Sequence, residues 1–206
     1  MIKKILTILL LATLICFPLF SKDDENVTDE YEGITAYSQG QQLLTMTLGG
    51  IFPLFNILPQ APTGSVIEDF GTLNIGVAGG IKWGSFIRDN LSLGAEIAFS
   101  FETTANRTLN MIPITFVTSY YFMAYPFEFP IYIGTGAAIS IIDDYFRVIP
   151  IIKPGFGVYW NFNDDWAFGL DVNYWFMPEI YLWGDYQDES SIGNFLHASL
   201  SAVYHF

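Results

Sequence analysis

The chain is short of charge, of cysteine and of long apolar runs, and each shortage removes a class of protein. Only 14% of its 206 residues are charged while 51% are hydrophobic and 17% aromatic, against about 25% charged in an ordinary soluble domain. So much apolar side chain with so little charge needs apolar surroundings. The single cysteine, Cys16, has no partner for an intrachain disulfide, so no disulfide framework organises the fold. Beyond residue 20 no stretch approaches the roughly 18 consecutive apolar residues of a membrane helix, because Gly, Thr, Ser or Pro interrupts every run. With helical spans excluded, a closed barrel is the remaining way to cross lipid with every backbone group paired. Basic residues are scarce too: 8 Lys and Arg stand against 21 Asp and Glu, a formal charge of -13. That removes nucleic acid as a partner, since its affinity comes largely from neutralised phosphates.

What is present begins with a leader. Lys3 and Lys4 precede an apolar stretch that runs to Phe20 without an acid, the pattern of a secretory signal peptide over residues 1–20. Ser21 offers a small residue for cleavage, and loss of Lys3 and Lys4 takes the charge from -13 to -15. Acylation at Cys16 is the alternative, although Ile15 stands where a small residue is wanted. Residues 21–40 hold Asp23, Asp24, Glu25, Asp29, Glu30 and Glu32 with no apolar period, and read as a disordered acidic tail. They lack the loop spacing of a calcium site, so no metal is expected.

From residue 41 onward the chain alternates. Eight segments place bulky apolar residues on one face and Gly, Ala, Ser or charged residues on the other, at residues 43–51, 73–84, 91–102, 112–122, 131–141, 153–162, 166–176 and 196–206. The third sets Leu91, Leu93, Ala95, Ile97, Phe99 and Phe101 against Ser92, Gly94, Glu96, Ala98, Ser100 and Glu102. Pro113 weakens the start of the fourth, as a strand proline belongs near an end or a bulge. Turns at Arg88 to Asn90 and Asn163 to Asp165 are tight, the Met123 to Pro130 connection is longer, and Pro53 to Gly71 and Pro178 to Gly193 are long. Even strand number with long loops on one side and short turns on the other is the outer-membrane pattern. The expected fold is therefore all-β, an eight-stranded antiparallel up-and-down transmembrane barrel over residues 41–206. A soluble barrel would point its apolar face inward, whereas here the small and charged face is the one that fits inside.

Some segments read as family text. Ile131-Tyr132-Ile133-Gly134-Thr135-Gly136 and Gly155-Phe156-Gly157-Val158-Tyr159-Trp160, leading through Asn163-Asp164-Asp165-Trp166 to Leu170-Asp171-Val172-Asn173-Tyr174, resemble the strands of small eight-stranded outer-membrane barrels. That group includes the OmpA transmembrane domain, OmpX and OmpW. The ending resembles the C-terminal signal such barrels present to their assembly machinery, with Phe206 and Tyr204 at its aromatic and hydrophobic positions. The resemblance implies a bacterial outer membrane, Gram-negative or spirochaete in type, with surrounding lipid and the assembly machinery as partners. It implies little activity, because function diverges widely on this fold.

A lumen of eight strands is about wide enough for its own side chains. Its inward positions carry Lys82, Glu96, Glu102, Lys153, Asp171, Asn173, His197 and His205. If Ile87 faces Leu91 across the tight turn, Lys82 lies opposite Glu96. Such a pair reads as a structural salt bridge, with an ion gate as the functional alternative. Trp83, Phe122, Trp160, Trp166, Tyr204 and Phe206 fall at the short-turn end as an aromatic girdle. His197 and Ser199 are spaced like the His-x-Ser pair of lipid A deacylases, but Leu200 replaces the Asn that follows there and parity turns both residues inward. The reading is thus of a non-enzyme without a cofactor, a structural or surface-interaction protein. Phe55, Ile57, Tyr181, Trp183 and Tyr186 are its loop contact candidates for a host or small hydrophobic ligand. An OmpW-like narrow pathway for small hydrophobic molecules is the alternative, with Leu54, Phe55, Leu58, Tyr181 and Leu182 as its funnel. A lipid A-modifying enzyme ranks behind both.

Overall fold

Alternation of bulky and small residues lets one face of each segment turn outward and the other close around a narrow interior, and most of the barrel strands follow it. The computed structural model describes residues 37–58, 66–68, 73–103, 108–142, 145–179 and 190–206. The leader at 1–20 with Cys16, the acidic residues 21–36, and Tyr181, Leu182, Trp183 and Tyr186 lie outside the described residues.

Among the described residues nine strands follow in order: β1 Gln42–Leu58, β2 Val66–Glu68, β3 Gly76–Arg88, β4 Leu91–Thr103, β5 Thr108–Ala124, β6 Phe127–Ile142, β7 Tyr145–Asn161, β8 Trp166–Glu179 and β9 Ser191–His205. Eight of them, β1 and β3 to β9, pair antiparallel with their neighbours, and β1 pairs with β9 to close the barrel. Closure removes the free edges that a sheet of this length would expose. The short β2 pairs with the end of β1, Ile57 against Ile67. Outward positions leave Leu48, Ile81, Ile97, Phe116, Phe156 and Leu200 exposed, while Thr45, Lys82, Glu96, Thr115, Lys153 and Asp171 are buried inside. Inward glycines let the wall curl tightly: a Cβ on Gly94 would overlap the Trp83 carbonyl oxygen of the adjacent strand.

Both termini of the barrel and its tight turns share one end. Asp89 and Asn90 join β3 to β4, and Asn90 takes a φ of 64°, a left-handed conformation that Asn tolerates. Tyr125 and Pro126 alone join β5 to β6, so the connection expected over Met123 to Pro130 is really a two-residue turn. Pro130 sits in β6 opposite Tyr121.

Several boundaries differ from the sequence reading. β1 runs on to Leu58, so Phe55 and Ile57 are strand residues paired with Asn194 and Ile192 of β9, not loop contacts. β7 starts at Tyr145 rather than near residue 153. The reason is that Val148, Ile149, Pro150, Ile151 and Ile152 are apolar on both faces: Val148 and Ile152 are exposed outward, Ile149 and Ile151 fill the lumen, and the period of two disappears from the sequence. Pro113 lies inside β5, where β4–β5 pairing is recorded at Ile97↔Ile114 and resumes at Ser100↔Met111. The interruption matches the missing N–H of proline. The stretch expected as tail ends early as well, since Tyr37 is buried against the barrel.

Candidate functional site

The lumen is stratified into three layers. At the loop end Ile51, Met111, Ile149, Ile151, Trp175, Met177 and Phe195 form an apolar cluster, joined by Ala78, Ala98 and Ala138. At the turn end Leu43, Phe86, Tyr121, Tyr159, Ala167 and Val203 form a second, more aromatic one, which includes Tyr37. Between them lies a polar belt that β3 to β9 all contribute to.

Asp171 on β8 is the centre of that belt. It accepts hydrogen bonds from the Tyr159 hydroxyl at 2.7 Å and from the Tyr132 hydroxyl, and the Lys82 ammonium stands 4.0 Å away. Lys82 also lies 4.1 Å above the Tyr132 ring. Asn173, two residues on and so on the same face, donates to Asp171 and to the Tyr132 oxygen at 3.2 Å each, and accepts from the Trp175 indole N–H. Its amide also faces His197 Nδ1 at 3.1 Å. A second knot forms around Glu96: Lys153 Nζ donates to Oε1 at 2.8 Å and Thr115 Oγ1 to Oε2 at 3.3 Å. Lys153 is 1% exposed and sits 4.8 Å over the Trp175 ring, so two ammonium groups are each faced by an acid and an aromatic ring. Charges held this way join strands on opposite walls of the lumen.

Lys82 and Glu96 do occupy paired positions on β3 and β4. They are not each other's salt bridge: Lys82 reaches across to Asp171, and Glu96 takes Lys153. The supposed Ile87–Leu91 pairing is also replaced, because a bulge between Phe86 and Arg88 sets Arg88 opposite Leu91. Glu102 lies in the apolar loop-end layer, fully buried, with Oε2 accepting from the Ser100 hydroxyl at 3.3 Å. His205 leaves the belt altogether and stands at the turn-end mouth, its Nε2 3.7 Å from Glu128 Oε1.

His197 and Ser199 do not form a nucleophile and base. The His197 Nδ1 is turned to Asn173, and among the described residues the Ser199 hydroxyl has no hydrogen-bond partner. Among the same residues no group of three His, Cys, Asp or Glu is placed to hold a metal. Trp83, Phe122, Trp160 and Phe206 point outward at the turn end, with Trp166 and Tyr204 half-buried between them. Trp166 lies 4.9 Å from Tyr204, and Tyr204 stacks on Phe206 at 5.7 Å.

Tyr132, Tyr159, Thr115 and Trp175 are the belt residues that charge alone does not pick out. One signal for the tyrosines was in the chain: Tyr132 pairs with Gly155, and Tyr159 follows Gly157 by two, so inward glycines leave room for both rings.

A protein-family model matches residues 13–204. An uncharacterized protein of Borreliella burgdorferi is 30% identical over 128 residues, which is 51% of this chain and 60% of that relative's length. The crystal structure of outer membrane protein OprG from Pseudomonas aeruginosa covers 84% of this chain and 99% of its own, with a TM-score of 0.54 at 11% identity. Neisserial surface protein A covers 82% and 98%, with a TM-score of 0.51 at 11% identity. The chain belongs to the family whose model spans residues 13–204, and its fold is that of the small eight-stranded outer-membrane β-barrels.

Proposed function

We propose that the chain is a non-enzymatic barrel of the bacterial outer membrane that acts as a structural or surface-interaction protein through its loop end. The observation that carries this reading is the lumen, filled by an apolar layer, a hydrogen-bonded charged belt and an aromatic layer in succession. No room is left for an aqueous channel at eight strands. Strands of 13 to 17 residues exceed the about 9–11 that a tilted span needs, so the wall itself rises beyond the hydrocarbon. Outer-membrane lipid covers the exposed apolar belt, the assembly machinery reads Phe206, and a host molecule or small hydrophobic ligand meets the connections at residues 59–72 and 180–189.

A second reading, a narrow pathway for small hydrophobic molecules, draws on one feature: the inner layer at the loop end is apolar, with Ile51, Met111, Ile149 and Phe195 facing inward there. Uptake of hydrophobic solutes by liposomes carrying the purified barrel separates the two. The surface role predicts uptake no faster than by empty liposomes, and faster uptake replaces it with the pathway. Protease nicking of the connection at residues 180–189 on intact cells tests the orientation both readings share. Protection of that connection on intact cells that are cleaved after lysis overturns the surface-facing assignment.

A further inference from the structure

Residues 37–41 fold back across the turn-end mouth of the lumen. The Gly40 N–H donates to the Phe86 carbonyl at 2.8 Å, the Gln41 N–H to the Ser38 carbonyl at 3.2 Å, and the Ser38 N–H to Gln41 Oε1 at 2.7 Å. Gly40 takes a φ of 94°, which a residue with a Cβ rarely adopts, and so reverses the chain ahead of β1. This turn delivers the Tyr37 ring into the mouth. The ring stacks on Phe86 of β3 at 4.1 Å and on His205 of β9 at 5.4 Å, and meets Tyr121 of β5 edge-on at 5.5 Å. Tyr37 is only 7% exposed although it precedes the first strand.

We propose that Tyr37 is a detachable stopper, by which residues 37–41 close the turn-end mouth of the barrel over Glu128 and His205 and uncover them when they withdraw. Two features make it detachable. The Tyr37 ring is held by stacking, a backbone hydrogen bond from Gly40 to the Phe86 carbonyl anchors the turn behind it, and residues 37–40 are not part of any strand. Withdrawal therefore breaks no sheet ladder. Beneath it the Tyr121 hydroxyl, Glu128 Oε2 and both His205 ring nitrogens are buried without hydrogen-bond partners among the described residues. Burying polar atoms in this way opposes the gain from stacking and so favours withdrawal. Burial and the Glu128 carboxylate keep the Tyr37 hydroxyl protonated well above the usual tyrosine range, so the stopper itself is uncharged. When it leaves, an acid and an imidazole 3.7 Å apart face the turn-end compartment.

Thiol accessibility tests this in the full chain carrying Cys16→Ser. Val203→Cys places a reporter at a fully buried inward position two residues from His205, and Ser140→Cys places a control toward the loop end. Both are treated with a charged, membrane-impermeant thiosulfonate, and folding is followed by heat-modifiable migration. Tyr37→Ala is expected to speed labelling at residue 203 by more than about tenfold, since labelling tracks the open population, and to leave residue 140 unchanged. Tyr37→Phe, which keeps the ring, is expected to label at the parent rate. Equal rates at residue 203 in the parent and in folded Tyr37→Ala overturn the stopper. So does a matching rise at residue 140, which would mean general loosening.

Discussion

Lys153 is among the most deeply buried charges of the lumen, and its ammonium is satisfied by Glu96 on β4 and the Trp175 ring. Removing one partner of such a pair strands the other in a dry interior, which costs about 3–5 kcal/mol, whereas replacing both by apolar residues of similar volume is close to neutral. Lys153→Ala should therefore lower the urea midpoint of the refolded barrel sharply, and Lys153→Met combined with Glu96→Leu should recover most of the loss. Equal destabilisation by the single and the double replacement would mean that the pair is incidental to stability. At this scale the sequence was half legible. The register of the β3–β4 hairpin put Lys82 beside Glu96, as observed. Which lysine reached which acid depended on the stagger of strands on opposite walls, so Lys82 crossed to Asp171 and Lys153 came to Glu96. No local pattern encodes a contact across the lumen.

The element that closes the barrel is the seam between β1 and β9, which pairs from Leu43↔His205 to Ile57↔Ile192. Phe206 extends it: its N–H donates to the Gln42 carbonyl at 3.0 Å, and its carbonyl accepts from the Gln42 N–H at 2.8 Å. The Phe206 ring is 55% exposed and stacks on Tyr204 at the turn end. Phe206→Ala keeps both backbone bonds and should change stability in detergent by only about 0.5 kcal/mol, as for most exposed positions. If the assembly machinery reads the ring, the same substitution lowers the amount of folded protein in the outer membrane of cells severalfold. Unchanged cellular yield would remove Phe206 as the signal. Strand identity was readable wherever one face was small, as in β4 with Ser92, Gly94, Glu96 and Ala98 turned inward. It failed at the start of β7 and the end of β1, where Ile149, Ile151, Phe52 and Phe55 make both faces apolar.

Across the whole molecule, three stacked layers close the same lumen, so no single layer controls it. Lys82→Ala and Glu96→Ala barrels in planar bilayers should conduct no more than the parent, because the clusters around Trp175 and around Phe86 and Tyr121 remain. Stable channels in either variant would make the charged belt an ion gate. The alternating faces and the scarcity of charge were enough by themselves to determine an antiparallel barrel and its strand parity, because both follow from local period and from what fits inside. Only the tertiary structure decided that Asp171 gathers two tyrosines and a lysine, that Phe55 and Ile57 belong to a strand, and that Tyr37 reaches the mouth. Each of these joins residues far apart in the chain, and their meeting is set by barrel closure and stagger, which no single segment contains.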